Sequence, residues 1–199
     1  MNTALFEKLE AALRQRNPQV AERLQPGLSE KRIRRMLERS GAQGTVEPIV
    51  SLFTWRNGVN NYDQALSEEQ SSLFPKSIYI FMELDMMSAH FGSFKECMEH
   101  HPAYAKVVGR YFPLFWDGSN SWLGIDLAPA NKSRIVLIHT EFEQMVFRAY
   151  SSFEEFLTDA IRANEENDSL TCFDSLKPVS AFSAVFISAT KGRSRRRSA

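Results

Sequence analysis

In the first 41 residues, hydrophobic side chains recur at the three- and four-residue spacing of amphipathic helices. Phe6, Leu9 and Leu13 predict a first helix, which Asn17-Pro18 ends because proline has no N–H donor for a helix interior. Ser29 is a favoured N-cap residue and predicts the start of a second helix. This part of the chain is therefore expected to be helical.

Three neighbouring segments are predicted from their composition. Residues 24–28 contain proline and glycine and are expected to form a turn-rich linker. A third helix is expected to begin near Thr45 and to end at Asn57-Gly58, because asparagine and glycine are common after a helix C-terminus. The segment from Asn60 to Ser72 is polar and is expected to be a loop.

Past residue 76 the pattern changes to short β-branched and aromatic runs, which are typical of strands. A short strand is expected at 77–82, followed by a helix at 83–101 that Pro102 ends and Gly92 could divide. The later runs are separated by turn residues and predict a meandering sheet. The remaining strands are expected at residues 112–116, 122–127, 134–140 and 144–148.

A capping box opens the last predicted helix. Ser152 and Glu155 have the spacing of a capping box. In this motif the serine side chain accepts from the backbone N–H of the glutamate, and the glutamate side chain accepts from the backbone N–H of the serine. Helices, then a meandering sheet, then a helix form an α+β arrangement. We expect one domain at 1–167, with a mixed or mainly antiparallel sheet between the N-terminal helices and this closing helix. Residues 168–199 are expected to form an irregular extension that ends in a disordered basic tail.

The hairpin predicted between the first two of the later strands is the most informative part of the chain. Two apolar runs flank Asp117–Ser121, which predicts a turn with Gly118 and Asn120 available for positive φ. Both faces of the strand at 112–116 are apolar, so this strand is expected to be covered on both sides. Asp126 lies between two apolar residues. It is either a polar anchor on a binding surface or an acceptor for turn N–H groups, and the second interpretation is favoured.

Charge is divided unevenly along the chain. The sequence has 24 basic and 24 acidic residues, but the tail Lys191–Ala199 holds five of the basic ones and no acid, which leaves 19 basic against 24 acidic. A negative domain suits a basic partner, because charge complementarity speeds association. The tail could be a nucleic-acid or targeting patch or an inert end. Its lack of interleaved aromatic residues favours the inert end, so direct nucleic-acid binding is not expected.

The chain shows no pattern of a secreted or membrane protein. Its first residues lack the basic and apolar regions of a secretory signal, and no apolar run approaches the roughly 20 residues that span a bilayer. Its two cysteines, Cys97 and Cys172, form no CxxC pattern. We therefore expect a cytoplasmic location, no membrane contact and two reduced thiols.

The sequence lacks the motifs GxGxxG, GxxxxGK[ST], GxSxG and HExxH. One cluster could still carry chemistry: Cys97 and His100 would share a helix face, with His90 and His101 nearby, and both residue types are zinc ligands. The second half of such a site is missing from the sequence. No metal, cofactor or catalytic activity is therefore expected, and a small metal-dependent hydrolase built on this cluster is the alternative.

Seven short segments, taken in order, resemble the SUKH superfamily of Smi/Knr-like proteins. The region in which they occur makes up about four-fifths of the chain, which is the length of one domain. The helix at 83–101 and the residues after Asn167 match no motif of the family. The matching segments are Leu24-x-Pro-Gly-Leu-Ser29, Trp55-Arg-Asn-Gly58, Leu73-Phe-Pro75, Phe112-Pro-Leu-Phe115, Asp117-Gly-Ser119, Leu123-Gly-Ile-Asp-Leu127 and Ser152-Phe-Glu-Glu-Phe-Leu157.

The resemblance implies a compact α+β domain that binds proteins and does not catalyse a reaction. Most bacterial members of the superfamily are implied to be immunity proteins that neutralise secreted toxins, often nucleases, and fungal relatives regulate cell-wall synthesis. The expected partner is a toxin domain with a basic surface. The residues expected near the binding surface are Trp55, Asn57, Asp117, Ser119 and Asp126.

Overall fold

The structure, a computed structural model, describes residues 3–60, 72–100, 109–131, 133–141, 145–174 and 176–178. Short 3-10 turns lie at Pro129–Asn131 and Thr171–Asp174. The helices of the described residues are α1 (Thr3–Arg16), α2 (Pro18–Glu22), α3 (Glu30–Ser40), α4 (Glu47–Trp55), α5 (Leu84–His100) and α6 (Phe153–Glu166). The strands are β1 (Leu24–Pro26), β2 (Arg56–Val59), β3 (Ile80–Phe81), β4 (Tyr111–Trp116), β5 (Ser121–Asp126), β6 (Ile135–His139), β7 (Val146–Tyr150) and β8 (Lys177–Pro178).

The main sheet has six strands in the order β3-β4-β5-β6-β7-β8, and every neighbouring pair is antiparallel. Each strand therefore lies beside the next one along the chain, which is the predicted meander. A separate antiparallel pair joins β1 to β2. Among the described residues, four helices precede the meander, α5 connects β3 to β4, and α6 follows β7, so the predicted α+β class is confirmed.

Helices cover both faces of strand β4, which lies between β3 and β5. On one face, the ring of Trp116 lies 4.5 Å from His90 of α5. On the other face, the ring of Phe115 lies 5.6 Å from Phe156 of α6. Behind these helices, α3 packs on α5 and α1 packs on α6. The prediction that this strand is covered on both sides is confirmed.

The predicted linker at 24–28 and the predicted end of the third helix are both wrong. Residues 24–26 form β1, and α4 ends at Trp55 so that residues 56–59 can form β2 beside it. Gly58 has φ 85°, and a Cβ there would lie 2.6 Å from the backbone nitrogen of Glu83. Residues 56–59 pair with a strand that lies 30 residues earlier in the chain. This tertiary contact outweighs the local signal for a helix that continues to Asn57-Gly58.

Several strand boundaries in the second half of the chain differ from the predicted ones. The strand predicted at 77–82 shortens to β3, and the last predicted strand is β7, which begins two residues later. Helix α5 continues through Gly92 without a break. The loop predicted after Asn60 falls largely in 61–71, which lies outside the described residues, as do Pro102 and the basic tail.

The capping box at the start of α6 forms with a small shift. The Ser152 hydroxyl accepts from the backbone N–H of Glu155 at 3.0 Å. The Glu155 carboxylate accepts from the N–H of Ser151, one residue before the N-cap, at 2.7 Å. Beyond α6, Leu170 and Cys172 are buried and β8 pairs with β7, so this part of the extension packs on the domain.

Candidate functional site

The β4–β5 turn is held by the carboxylate of Asp117. One oxygen accepts from the backbone N–H groups of Ser119 at 2.8 Å and Ser121 at 3.2 Å, and the other accepts from the Ser119 hydroxyl at 3.1 Å. Gly118 has the predicted positive φ, 86°, whereas Asn120 does not, so that prediction is wrong. Asn120 instead donates its side-chain N–H to Glu141. Asp117 therefore shapes this turn.

Asp126, at the far end of β5, is fully buried and fully bonded. Its two oxygens accept from the guanidinium of Arg110, each at 2.7 Å, in a bidentate pair. They also accept from the N–H of Ala128 at 3.0 Å and from the side-chain N–H of Asn131 at 2.7 Å. Hydrogen bonding to Asp126 raises the pKa of Arg110. The carboxylate itself is out of reach of a partner, whereas the side chain of Arg110 that pairs with it is 21% exposed.

Trp55, the last residue of α4, and Asn57 of β2 contact neighbouring helices. The Trp55 ring stacks on Phe6 at 5.1 Å, and its Nε1–H donates to Glu10 at 3.1 Å. The buried Asn57 side chain accepts from the backbone N–H of Leu84 at 3.1 Å and so caps the first turn of α5. Trp55 is half-buried and remains partly accessible, whereas Asn57 is not.

The five predicted residues do not form one surface. Asp117 and Ser119 lie at the β4–β5 turn, and Asp126 lies five residues beyond Ser121, which is about 17 Å along an extended strand. Only Trp55, Asp117 and Ser119 reach solvent. Whether any of them contacts a partner stays a prediction.

The residues of the alternative metal cluster are divided between two environments. His90 lies under the sheet edge, with its ring 4.5 Å from Trp116, whereas Cys97 and His100 are exposed on α5. His101 lies outside the described residues. In the part of the chain that the structure describes, no three His, Cys, Asp or Glu side chains are grouped to hold a metal ion. The geometry therefore adds no observation in favour of a hydrolase.

His90 gives a pH-dependent prediction. Burial lowers its pKa, so in the range below about 6.5 the unfolded chain takes up a proton before the folded one. The free energy of unfolding should hold its full value above that pH and fall as the pH drops toward the lower pKa of the folded state. The measurement is the urea midpoint between pH 5 and pH 8. His90→Gln should remove this part of the dependence and the exposed His100→Gln should keep it; equal pH profiles for wild type and His90→Gln would contradict the prediction.

A groove between α1 and α4 runs beside Trp55 and combines an apolar floor with an acidic rim. Its volume is about 440 Å³. Phe6, Val50 and Trp55 supply the apolar part, and none of the described residues that line the groove is a lysine, arginine or histidine. The lining residues are Thr3, Phe6, Glu7, Glu10, Glu30, Val50, Ser51, Thr54 and Trp55. We call this the acidic groove.

The three carboxylates of the acidic groove differ in how they are paired. Burial alone would raise the pKa of Glu10, but hydrogen bonds from Arg56, Arg14 and Trp55 hold that pKa below its usual value. Glu30 pairs with Arg34 at 2.7 Å, and both side chains are largely exposed. Glu7 is exposed and forms no ion pair within the described residues. Glu7 is therefore the carboxylate most available to a ligand.

A second groove, between α3 and α5, has the opposite charge. Its volume is about 460 Å³. The sequence patterns predicted α3 but did not single out its charged face, although basic residues recur there every four positions. The lining residues are Ser29, Lys31, Arg32, Arg35, Met36, Arg39 and Asp85. We call this the basic groove.

Sequence motifs predicted neither of the two grooves. Glu7 and Glu10 stand three positions apart on α1, and this helical spacing is a signal that could have been found. Their meeting with Glu30 and Trp55 depends on how α1, α3 and α4 pack, which no local pattern contains.

The sequence matches no model of a known protein family, and a search among curated proteins finds no match either. The resemblance to the SUKH superfamily therefore rests on the ordered motifs and stays a prediction. Every helix within the described ranges is too short or too polar to cross a membrane.

Proposed function

We propose that this protein is a non-catalytic binding module of the SUKH type, an immunity protein that neutralises a toxin domain by direct contact in the cytoplasm. The observation that carries the proposal is the acidic groove, where apolar surface at Phe6 and Trp55 lies beside Glu7. Apolar contact supplies affinity, and tryptophan is enriched among the residues that dominate binding energy. The rim carboxylates suit lysine or arginine side chains of the toxin.

Two further observations support this function. The antiparallel sheet between helices agrees with the architecture that the resemblance implies. The acidic domain body, 19 basic against 24 acidic residues without the tail, would attract a positively charged toxin such as a nuclease over a longer range. Both favour a protein partner with a basic surface.

The test uses a candidate toxin domain, chosen from the genes that neighbour the gene of this protein. Calorimetry should give nanomolar, one-to-one binding, and the complex should lack the toxin's activity. Glu7→Lys reverses an exposed, unpaired charge of the acidic groove, so we expect at least a tenfold loss of affinity, mainly at low salt.

Glu165→Lys is the matched control, because Glu165 is also exposed but lines a different groove, between α1 and α6. It should bind like the wild type. If Glu165→Lys weakens binding as much as Glu7→Lys, only overall charge matters and the acidic groove is not the site. If the toxin neither binds nor loses activity, the immunity function is wrong.

A further inference from the structure

The exposed face of α3 carries three cations in a row. Lys31, Arg35 and Arg39 stand at i, i+4 and i+8, so they lie on one side of the helix at steps of about 6 Å. All three are exposed. Among the described residues none of them has an acidic partner within ion-pair distance, whereas their neighbour Arg32 pairs with Asp85 at 3.2 Å. The result is an uncompensated positive stripe along the basic groove.

This stripe works against the stability of its own helix. Like charges four positions apart on a helix repel each other and destabilise it. Helix α3 has five basic and only two acidic residues in a domain that is otherwise acidic. A bound anion would relieve the repulsion, so the arrangement suits a ligand with several negative charges.

One apolar side chain lines the basic groove among the described residues. Met36 follows Arg35 on α3, is half-buried and packs against the hydrophobic core, so it lies between the positive stripe and the buried side of the helix. Methionine adapts to varied apolar surfaces and is frequent where proteins bind helical peptides. None of the described residues that line the groove is aromatic, so among them the bases of a nucleic acid would find no ring to stack on. These features favour a peptide over a nucleic acid.

We propose that the basic groove binds an acidic amphipathic helix of a protein partner. Carboxylates at i, i+4 and i+8 of such a helix repeat every 6 Å or so and match the spacing of Lys31, Arg35 and Arg39. An apolar side chain on the same face contacts Met36, as in other complexes where a helix lies in a groove. This surface shares no lining residue with the acidic groove, although both reach the start of α3, and it adds a second binding site of opposite charge.

The probe is a synthetic helical peptide of about 16 residues with glutamates at i, i+4 and i+8 and leucines between them. Fluorescence anisotropy should show binding that weakens with salt. A peptide with glutamine in place of each glutamate should bind at least tenfold more weakly. The double variant Lys31→Glu/Arg35→Glu should reduce affinity for the glutamate peptide by a similar factor.

Lys8→Glu is the matched control, because Lys8 is an exposed cation of another groove, and it should bind the peptide like the wild type. Circular dichroism should show that all variants keep the fold. Equal binding of the two peptides, or an equal loss in Lys8→Glu, would overturn the proposal. Competition by single-stranded DNA at equal or higher affinity would assign the groove to nucleic acid instead. Self-association of the wild type that the double variant abolishes would assign it to a second copy of this chain.

Discussion

Asp126→Ala is expected to lower the free energy of unfolding by about 3–5 kcal/mol, because it breaks a buried ion pair and leaves the other charge without a partner. The carboxylate is fully buried and accepts four hydrogen bonds, two of them from Arg110. Its removal also frees the N–H groups of Ala128 and Asn131. Denaturant unfolding, with the slope m checked for constancy, measures the loss.

A double-mutant cycle separates the free-energy cost of leaving Arg110 without its partner from the cost of the other lost hydrogen bonds. In Arg110→Met the guanidinium is gone, so Asp126→Ala in that background should cost clearly less than in the wild type. The difference is the coupling between the two side chains. A loss below 1 kcal/mol for Asp126→Ala alone would contradict the structural role that the geometry gives this residue.

Phe115→Ala is expected to cost about 3–5 kcal/mol of unfolding free energy, since it removes a large buried ring and leaves a cavity. Phe115 is 1% exposed, and its ring lies 5.2 Å from Phe74, 5.3 Å from Phe81 and 5.6 Å from Phe156. These rings join β3, β4, α6 and the segment before β3. Thermal and denaturant unfolding should both show the loss.

Phe147→Ala is the matched control for this variant. Phe147 lies on β7 and is only partly buried. The same replacement of phenylalanine by alanine should therefore lower the free energy of unfolding by less than half as much. Phe115→Leu, which keeps much of the volume, should fall between the two. Equal losses for Phe115→Ala and Phe147→Ala would show that the aromatic cluster is not the centre of the core.

The role of Asp126 in the fold bears on the candidate site. The sequence left it as a binding anchor or an acceptor for backbone N–H groups, and the structure shows an acceptor that also pairs with a side chain 16 positions away. The same holds for Asn57, which the sequence placed at a helix end and the structure places under the first turn of α5. Both are polar residues whose partners lie elsewhere in the chain. A single sequence does not show such pairings.

Local patterns were sufficient for most elements of the fold. The first helix, the hairpin with Asp117 and Gly118, the capping box of α6 and the meander followed from neighbouring residues, because helical periodicity, turn conformation and capping are interactions over a few positions. The α+β class then followed from the order of the elements.

The tertiary structure alone decided where the charged and apolar surfaces meet. Strand β2 forms only because β1 lies beside it, and Glu10 pairs with Arg56 across 46 positions. The acidic groove needs α1, α3 and α4 together, and the basic groove needs α3 against α5. Such surfaces depend on the packing of elements far apart in the chain. The sequence by itself therefore determined most of the helices and the strands of the meander, because these depend on neighbouring residues. Packing determined the β1–β2 pair and which side chains the elements offer to a partner.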